Sequence, residues 1–527
     1  MTRDFALTDA ELCRFLDVGY HIVDTSAISN DTHERLFEAA STLHQQRAEL
    51  SNPLASLDAI ADNLHVQVPA LNEVLACNAL DGALTSVLGA NYFRYGHSFI
   101  HLSGQYDQSY HKDSPLPWGT RGGVRSHRPN WAMVFYYPQA VTIDMGATEI
   151  LPGTQYWNVD REDSGRTEGE DRLDPTFQQE SMNAMDEDSR DRHLHAQLAS
   201  FDRDVEPMRL VLPQGALVLV HFDLFHRGTR ATSNDARYMY KFWYVRTTEP
   251  KQSSSTPVFS YAALDPRRQV LVAKQAAWLG LEVDAKSRNE SVDFDETQEA
   301  DRLSQAHKSM QSDSNRVISA CSSDAEAERR SAMYALVGCD AETREATPAL
   351  VASPHTYLRR CGAFLLGELT RPTDAEVKML IAFSVDDVDT DVRMTAMNAV
   401  GRALRRNISR GVIALPTELC MAWTDHLLIA PERVTRSGLV QSAERQCMYT
   451  ALLNIVTSLL VEQAHPSLAN DIAELICHRV LVETDRYAKS TALETVSRLA
   501  ELGHSKALTT SLRLLRNERW SIVSTAA

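Results

Sequence analysis

The sequence predicts an α+β protein in two parts. About the first 255 residues read as an antiparallel β sandwich or jelly roll, and the remainder as an all-helical array. Three observations predict this. Short runs rich in aromatic and β-branched residues, mostly bounded by Gly, Pro or Asn, fill the N-terminal half. That signal nearly vanishes after about residue 255. From about residue 320 a helical pattern recurs in its place. The chain has 527 residues, enough for three or four ordinary domains or two large ones.

The elements follow in order. Leu7 to Leu12 reads as a helix start, with Thr8 at the N-cap and Glu11 three residues on, the capping-box spacing. Asp31 to Leu50 has helical spacing too. Strand-like runs come next at 92–95, 131–137, 215–220 and 238–245, as in a sandwich or jelly roll. Residues 158–206 are crowded with Asp, Glu, Arg and Ser and lack apolar periodicity, so an exposed lid or insert is expected there. Polar Lys251 to Ser255 opens a connector over 256–315. Over 316–527 a basic residue is repeatedly followed by small or apolar residues at +3 and +6. The instances are Arg329/Ala332/Ala335, Arg360/Ala363/Leu366, Arg393/Ala396/Ala399, Arg445/Met448/Ala451 and the weaker Lys489/Ala492/Thr495. Anchor spacings of 31, 33, 52 and 44 residues fall in the range of helical-hairpin repeats with insertions. The best copy, Asp387 to Gly401, resembles a HEAT-type repeat, in which each hairpin buries its apolar face on the next.

Composition narrows the functional classes. With 43% hydrophobic and 23% charged residues, the chain is globular. It has no apolar run of about 18 residues, so no membrane span is expected. The opening Met1-Thr2-Arg3-Asp4 leads into no apolar signal core. The eight cysteines form no CxxC pair, which argues against a disulfide framework or zinc knuckle and for a reducing cytoplasm. A net charge of −17 argues against nucleic-acid binding, which needs a basic footprint.

The candidate chemistry lies in His111-Lys112-Asp113, in His226 after the apolar run 215–220, and in Arg237. Two imidazoles and one carboxylate are the ligands of a facial triad that leaves metal positions open. Residues two apart at a strand end point to one side, and the third ligand comes from a distant strand. Arg237 supplies a planar fork for a carboxylate. His221-Phe222-Asp223 is also HxD, so spacing alone does not choose between the two motifs. Context favours His111, which has a distal histidine and arginine at the right remove; His226 is too close to His221 to be its distal partner.

With these residues the first ~250 positions resemble the phytanoyl-CoA dioxygenase (PhyH) family of Fe(II)/2-oxoglutarate oxygenases. Asp9 to Leu12, Phe15 and Gly19 to Val23 look like its opening helix and strand. Gly146 to Gln155 resembles its Gly/Pro-Gly signature, and Gly215 to Val218 with His226 its distal element. The resemblance implies a double-stranded β-helix fold, iron held by His111, Asp113 and His226, and 2-oxoglutarate clamped by Arg237. O2 would be the oxidant, and an unactivated C–H bond would be hydroxylated with release of succinate and CO2. Trp131, Thr229 and Ser98 are further expected co-substrate contacts. Thr229 enters because Gly228 stands where a hydroxyl residue is usual; Thr154-Gln155 likewise replaces Ser-His. Retention of Asp113 argues against halogenation.

His97, His101, Arg121, Arg125 and Trp157 are candidate substrate contacts, and the basic cluster around Arg121 fits an anionic group. The substrate expected is a small organic molecule, anionic or a biosynthetic intermediate, with the helical repeats serving homodimerisation or partner docking. A protein-directed hydroxylase and a non-catalytic scaffold are the alternatives.

Overall fold

The computed structural model describes residues 5–48, 64–113, 127–157, 171–173, 179–201, 205–250, 258–259, 268–283, 313–323, 325–411, 438–483 and 502–510, with scattered positions between them. In chain order the strands of the first 250 residues are β1 (Tyr20–Val23), β2 (Tyr92–Leu102), β3 (His111–Lys112), β4 (Trp131–Tyr137), β5 (Thr148–Ile150), β6 (Asp171–Arg172), β7 (Met208–Arg209), β8 (Ala216–His221), β9 (His226–Gly228) and β10 (Tyr238–Arg246). They form two five-stranded antiparallel sheets, ordered β1-β8-β4-β10-β2 and β6-β3-β9-β5-β7. This is the jelly-roll arrangement of the double-stranded β-helix.

Side-chain alternation decides what each face carries. On the larger sheet Met133, Phe135 and Tyr137 of β4 point inward with Met239 and Trp243 of β10, and meet Ile150 of the smaller sheet in one cluster. Val134 and Tyr136 point outward with Tyr240, Phe242 and Tyr244. That outer face is covered by helices α1 (Asp9–Val18), α2 (Asn30–Ala48) and α3 (Asn78–Leu88), through Phe15, Leu16, Leu36 and Leu84. The capping box holds: Thr8 Oγ1 accepts from Glu11 N–H at 3.3 Å, and Thr8 N–H donates to Glu11 at 2.8 Å.

The helical half comprises α4 (Gln269–Trp278), α5 (Glu326–Leu336), α6 (Asp340–Val351), α7 (Thr356–Glu368), α8 (Asp374–Asp386), α9 (Thr390–Ser409), α10 (Gly438–Val461) and α11 (Pro466–Val482), with shorter turns of helix between some of them. Small residues set its crossings. A Cβ on Gly367 would lie 2.4 Å from Ala399 Cβ, and one on Gly401 would lie 2.9 Å from Ala451 Cα. Both glycines let helix backbones approach closely, so α9 packs between α7 and α10.

Two expectations need correction. Residues 158–206 are not only loop: Gln179–Ala184 and Glu187–Phe201 are helical. Met182, Leu194 and Leu198 bury against Tyr110, Trp157 and Phe225 behind the smaller sheet, and Arg190 pairs with Asp107 at 2.9 Å. Three apolar anchors are too sparse to read as periodicity in so charged a stretch. The connector, likewise, is not merely a linker. Leu271, Val272 and Ala276 of α4 are core residues, and Arg268 pairs with Asp17 at 2.7 Å.

The two halves share their interior. One continuous apolar cluster runs from the outer face of the larger sheet through α4 to Met333, Leu336 and Phe364 of the helical half. Beside it lies a buried ion cluster. Glu368 accepts from Arg128 at 2.5 Å, Arg402 at 2.7 Å and Arg406 at 3.2 Å. Glu249 pairs with Arg405 at 2.7 Å, and Arg405 also donates to Asn130 Oδ1 and Arg246 O, both at 3.1 Å.

Breaking such a cluster leaves buried charge uncompensated. Glu368→Gln should destabilise the chain by about 3–5 kcal/mol, read as a lower melting temperature. Burial resists ionisation of Glu249, yet Arg405 and Arg406 hold its pKa down to about 2. Its folded pKa is depressed, so its contribution is present above the unfolded carboxyl range near 4.5 and is lost as pH falls toward 2. Thermal melts of Glu249→Gln should therefore converge on wild type as pH drops through that window.

Candidate metal and co-substrate site

Register brings the triad together. His111 on β3 pairs directly with His226 on β9, and the two rings lie 4.6 Å apart. Asp113, two residues beyond His111, returns to the same inner face, while Lys112 points to the other and donates to the carbonyls of Gln155 and Trp157. Each imidazole is oriented by its own strand: His111 Nδ1 donates to Ser109 O at 2.8 Å, and His226 Nδ1 to Leu224 O at 3.1 Å. This leaves both Nε2 lone pairs facing Asp113 Oδ1, at 3.9 and 3.8 Å. The three donors lie within 4.8 Å of one another and all are buried. Among the described residues no other His, Cys, Asp and Glu donors converge in this way.

The protonation states suit a cation. Burial, followed by the charge of Lys241, lowers the His226 pKa well below its usual value and keeps the ring neutral. Burial resists ionisation of Asp113, but the charge of Lys241 more than offsets it and holds its pKa low. A buried carboxylate and two imidazole nitrogens form the donor set of a divalent transition metal with open positions.

Arg237, immediately before β10, is buried among Tyr137, Thr148 and Tyr106. Its Nη1 lies 3.5 Å from Thr148 Oγ1, which also accepts from Tyr137 at 2.9 Å. Its Nε has no hydrogen-bond partner. A buried guanidinium with an unmet donor is costly without an anion. The site thus has a metal-donor end and a carboxylate-binding end, which is the polarity of a 2-oxo diacid.

The other expected residues divide. Thr229 is spent on Ala147 O at 2.7 Å, and the hydroxyl beside Arg237 is that of Thr148, opposite Gly228 on the neighbouring strand. Ser98 pairs with Phe242, whose ring faces the outer core, so it points away from the site. Trp131 lies at the far end of β4, packed on Phe222 at 5.4 Å, whereas Arg237 sits beside Tyr137 at the near end. Trp157 is behind the smaller sheet with Phe225. His101 does face inward, next to Phe99 at 5.5 Å, with Nε2 buried and unpartnered. His97 lies on β2, but its side chain and all of Arg121 and Arg125 fall outside the described residues.

The alternative HxD is spent internally. Asp223 N–H donates to His221 Nδ1 at 3.1 Å, and His221 Nε2 donates to His127 O at 3.1 Å. No lone pair remains for a metal. Burial drives its pKa down to about 4. The Thr154-Gln155 departure is also structural. Gln155 donates to the Leu16 and Asp17 carbonyls at 3.0 Å, and Thr154 Oγ1 accepts from Phe225 N–H at 3.2 Å, tying α1 to the β8–β9 corner.

Lys241 was not anticipated. It lies on β10 on the same inward face as Met239 and Trp243, ion-paired to Asp113 Oδ2 and 3.4 Å from His226 Nε2. The signal was present: one lysine interrupts an otherwise apolar strand, Tyr238 to Val245.

A family model described as phytanoyl-CoA dioxygenase (PhyH) matches residues 4–239. No curated protein matches the chain. Similar solved structures include EctD from S. alaskensis with 2-oxoglutarate and 5-hydroxyectoine (16% identity, 54% of this chain and 90% of that one, TM-score 0.33). The non-heme monooxygenase ThoJ is another (15%, 46% and 81%, TM-score 0.31). A third is the epimerase SnoN in complex with Fe3+, alpha ketoglutarate and nogalamycin RO (10%, 46% and 84%, TM-score 0.33).

The two HxD motifs are separable by metal titration. In calorimetry with Co(II), His226→Ala should weaken binding by about 100-fold or more, as expected on losing one of three ligands. His221→Asn should change it by less than about threefold while lowering the melting temperature. The reverse pattern would transfer the metal to the second motif.

Proposed function

We propose that this chain, whose residues 4–239 match the family model described as phytanoyl-CoA dioxygenase, hydroxylates an unactivated C–H bond of a small organic molecule. It is a 2-oxoglutarate-dependent oxygenase that uses Fe(II). The observation that carries the proposal is the opposition of two groups across one barrel interior: the buried triad on the smaller sheet and the unsatisfied Arg237 on the larger.

His111, Asp113 and His226 would hold the iron, and Arg237 with the Thr148 hydroxyl would hold the far carboxylate of 2-oxoglutarate. Bound iron and co-substrate supply the oxidising power, consuming O2 and releasing succinate and CO2. The protein's own contribution is orientation and exclusion of water. Second partners on each Nδ1 fix the imidazoles so that only Nε2 lone pairs face inward. Phe135, whose ring lies 5.6 Å from that of His226, and Met133 and Trp243 beyond it make the interior apolar, as a short-lived oxidant requires.

The helices from α5 onward we read as a HEAT-like array that begins near residue 316, after an oxygenase part ending near 255. Its support is the packing of α7, α9 and α10 at small residues. Because the halves share a core, deleting the array would remove part of the oxygenase's own packing, and single substitutions are the cleaner test.

Purified protein with Fe(II), ascorbate and 2-oxoglutarate should release succinate in an O2-dependent manner. Arg237→Ala should raise the 2-oxoglutarate needed for half-maximal rate by about 10- to 100-fold, the value of a hydrogen bond to a charged group. Thr148→Val should cost about tenfold or less. An Arg237→Ala protein with unchanged 2-oxoglutarate dependence would sink the clamp assignment.

A further inference from the structure

Lys241 has no task in the chemistry described so far. Its ammonium lies inside the barrel, ion-paired to Asp113 and 3.4 Å from His226 Nε2, with the Phe135 ring 5.6 Å away. The pairing is divided: Asp113 turns Oδ1 to the two imidazoles and Oδ2 to Lys241. A metal that takes the His226 Nε2 lone pair breaks the lysine's contact there and leaves Lys241 its pairing with Asp113 Oδ2.

The formal charges then do not balance. A metal dication, the 2-oxoglutarate dianion, Asp113 and Arg237 cancel, because His111 and His226 bind as neutral rings. Lys241 is left over as one uncompensated positive charge in a buried site. Among the described residues, the acids of the smaller sheet are already paired. Glu149 and Asp107, on the outer side of the smaller sheet, are already held by Arg209, Arg227, Arg190 and Arg230. A buried charge of this kind is costly unless it is paired. His101 faces the same interior and carries a buried Nε2 without a partner. Its nearest charges include Lys241, Asp113 and Arg237, and burial pushes its pKa down to about 3, so it is neutral.

We propose that Lys241, aided by His101, is the anchor for an anionic group of the substrate, a carboxylate or phosphate, bound inside the barrel beside the metal. This rests on the reading of the triad and Arg237 given above and adds the substrate's chemical class. It adds an anion contact inside the barrel to the one expected at the basic cluster of Arg121 and Arg125. The anion completes the charge balance only when metal and co-substrate are both present, so the lysine couples substrate binding to a loaded centre.

The test uses the full chain with Co(II) as metal, 2-oxoglutarate, and acetate or inorganic phosphate as the probe anion, against chloride at equal ionic strength. Anion and metal binding are linked reciprocally. Acetate or phosphate should tighten Co(II) binding by about fivefold or more in wild type and in Lys241→Arg, read from the visible spectrum of bound Co(II). Lys241→Met should bind Co(II) more tightly than wild type without the anion, because a repelling charge is gone, and should show no anion effect. Lys241→Gln gives the same measurement should the methionine variant fold poorly. His101→Ala should reduce the anion effect several-fold. An equal anion effect in Lys241→Met, or none in a wild type that binds Co(II) and 2-oxoglutarate normally, overturns the anchor alone. A wild type that binds neither Co(II) nor 2-oxoglutarate overturns the triad reading and this one together.

Discussion

The backbone pairing of His111 with His226 is the constraint on which the rest depends. Two strands far apart in sequence are locked in one register, and alternation then assigns every neighbour. His111, Asp113, His226, Thr148 and Ile150 face the interior, while Tyr110, Lys112, Glu149 and Arg227 face out. A slip of one residue would turn the triad to the outside and bring Lys112 and Arg227 in. The outward set is itself tied down. Arg227 pairs with Glu149 at 2.7 Å and with Asp107 at 2.9 Å. The buried ion pairs behind the sheet thus hold the register that makes the inner face a metal site.

The fold was largely legible because its signals are periodic. Strand runs such as Trp131 to Tyr137 and the box at Thr8 and Glu11 express local rules, and the structure follows them. The triad was legible for a related reason: residues two apart share a face, and a distal histidine followed by an arginine supplies the rest. What failed was inference from proximity along the chain. Ser98 and Trp131 stand near the right segments, but Ser98 has the wrong parity, and Trp131 the right face at the wrong end of its strand. Thr229 is next to Gly228, which stands two residues beyond His226, whereas the hydroxyl near Arg237 comes across the sheet from Thr148. Such substitutions need the register, and no single-strand pattern contains it. Lys241 is the opposite case. A lysine inside an apolar strand was visible, and only its partners were not.

The site is also unusual in how charge is spent. Arg237, just before β10, and Lys241 on it are both buried, four residues apart, on the same inward face. One has an unmet donor, and the other is tied to a ligand carboxylate. Two cations in an apolar chamber are tolerable only because the chamber is made to receive anions. The same apolar walls that raise the cost of an empty site strengthen each ionic contact when it is filled. Binding is then selective for charge as well as for shape.

The helical half enters this economy from the other side of the larger sheet. Glu249 follows β10 by three residues, and Arg128 and Asn130 precede β4, so the buried ion cluster grips the ends of the two strands that carry Lys241 and Phe135. Trp278 lies against both Arg128 and Arg246, at 5.3 and 5.0 Å, and links α4 to the same strand ends. A barrel strand held at its end by buried charge cannot shift its register without uncovering that charge. The array is therefore a brace on β4 and β10, whatever else its exposed surface meets. Its distance from the metal is no measure of its bearing on the site, because the strands it fixes run straight into it.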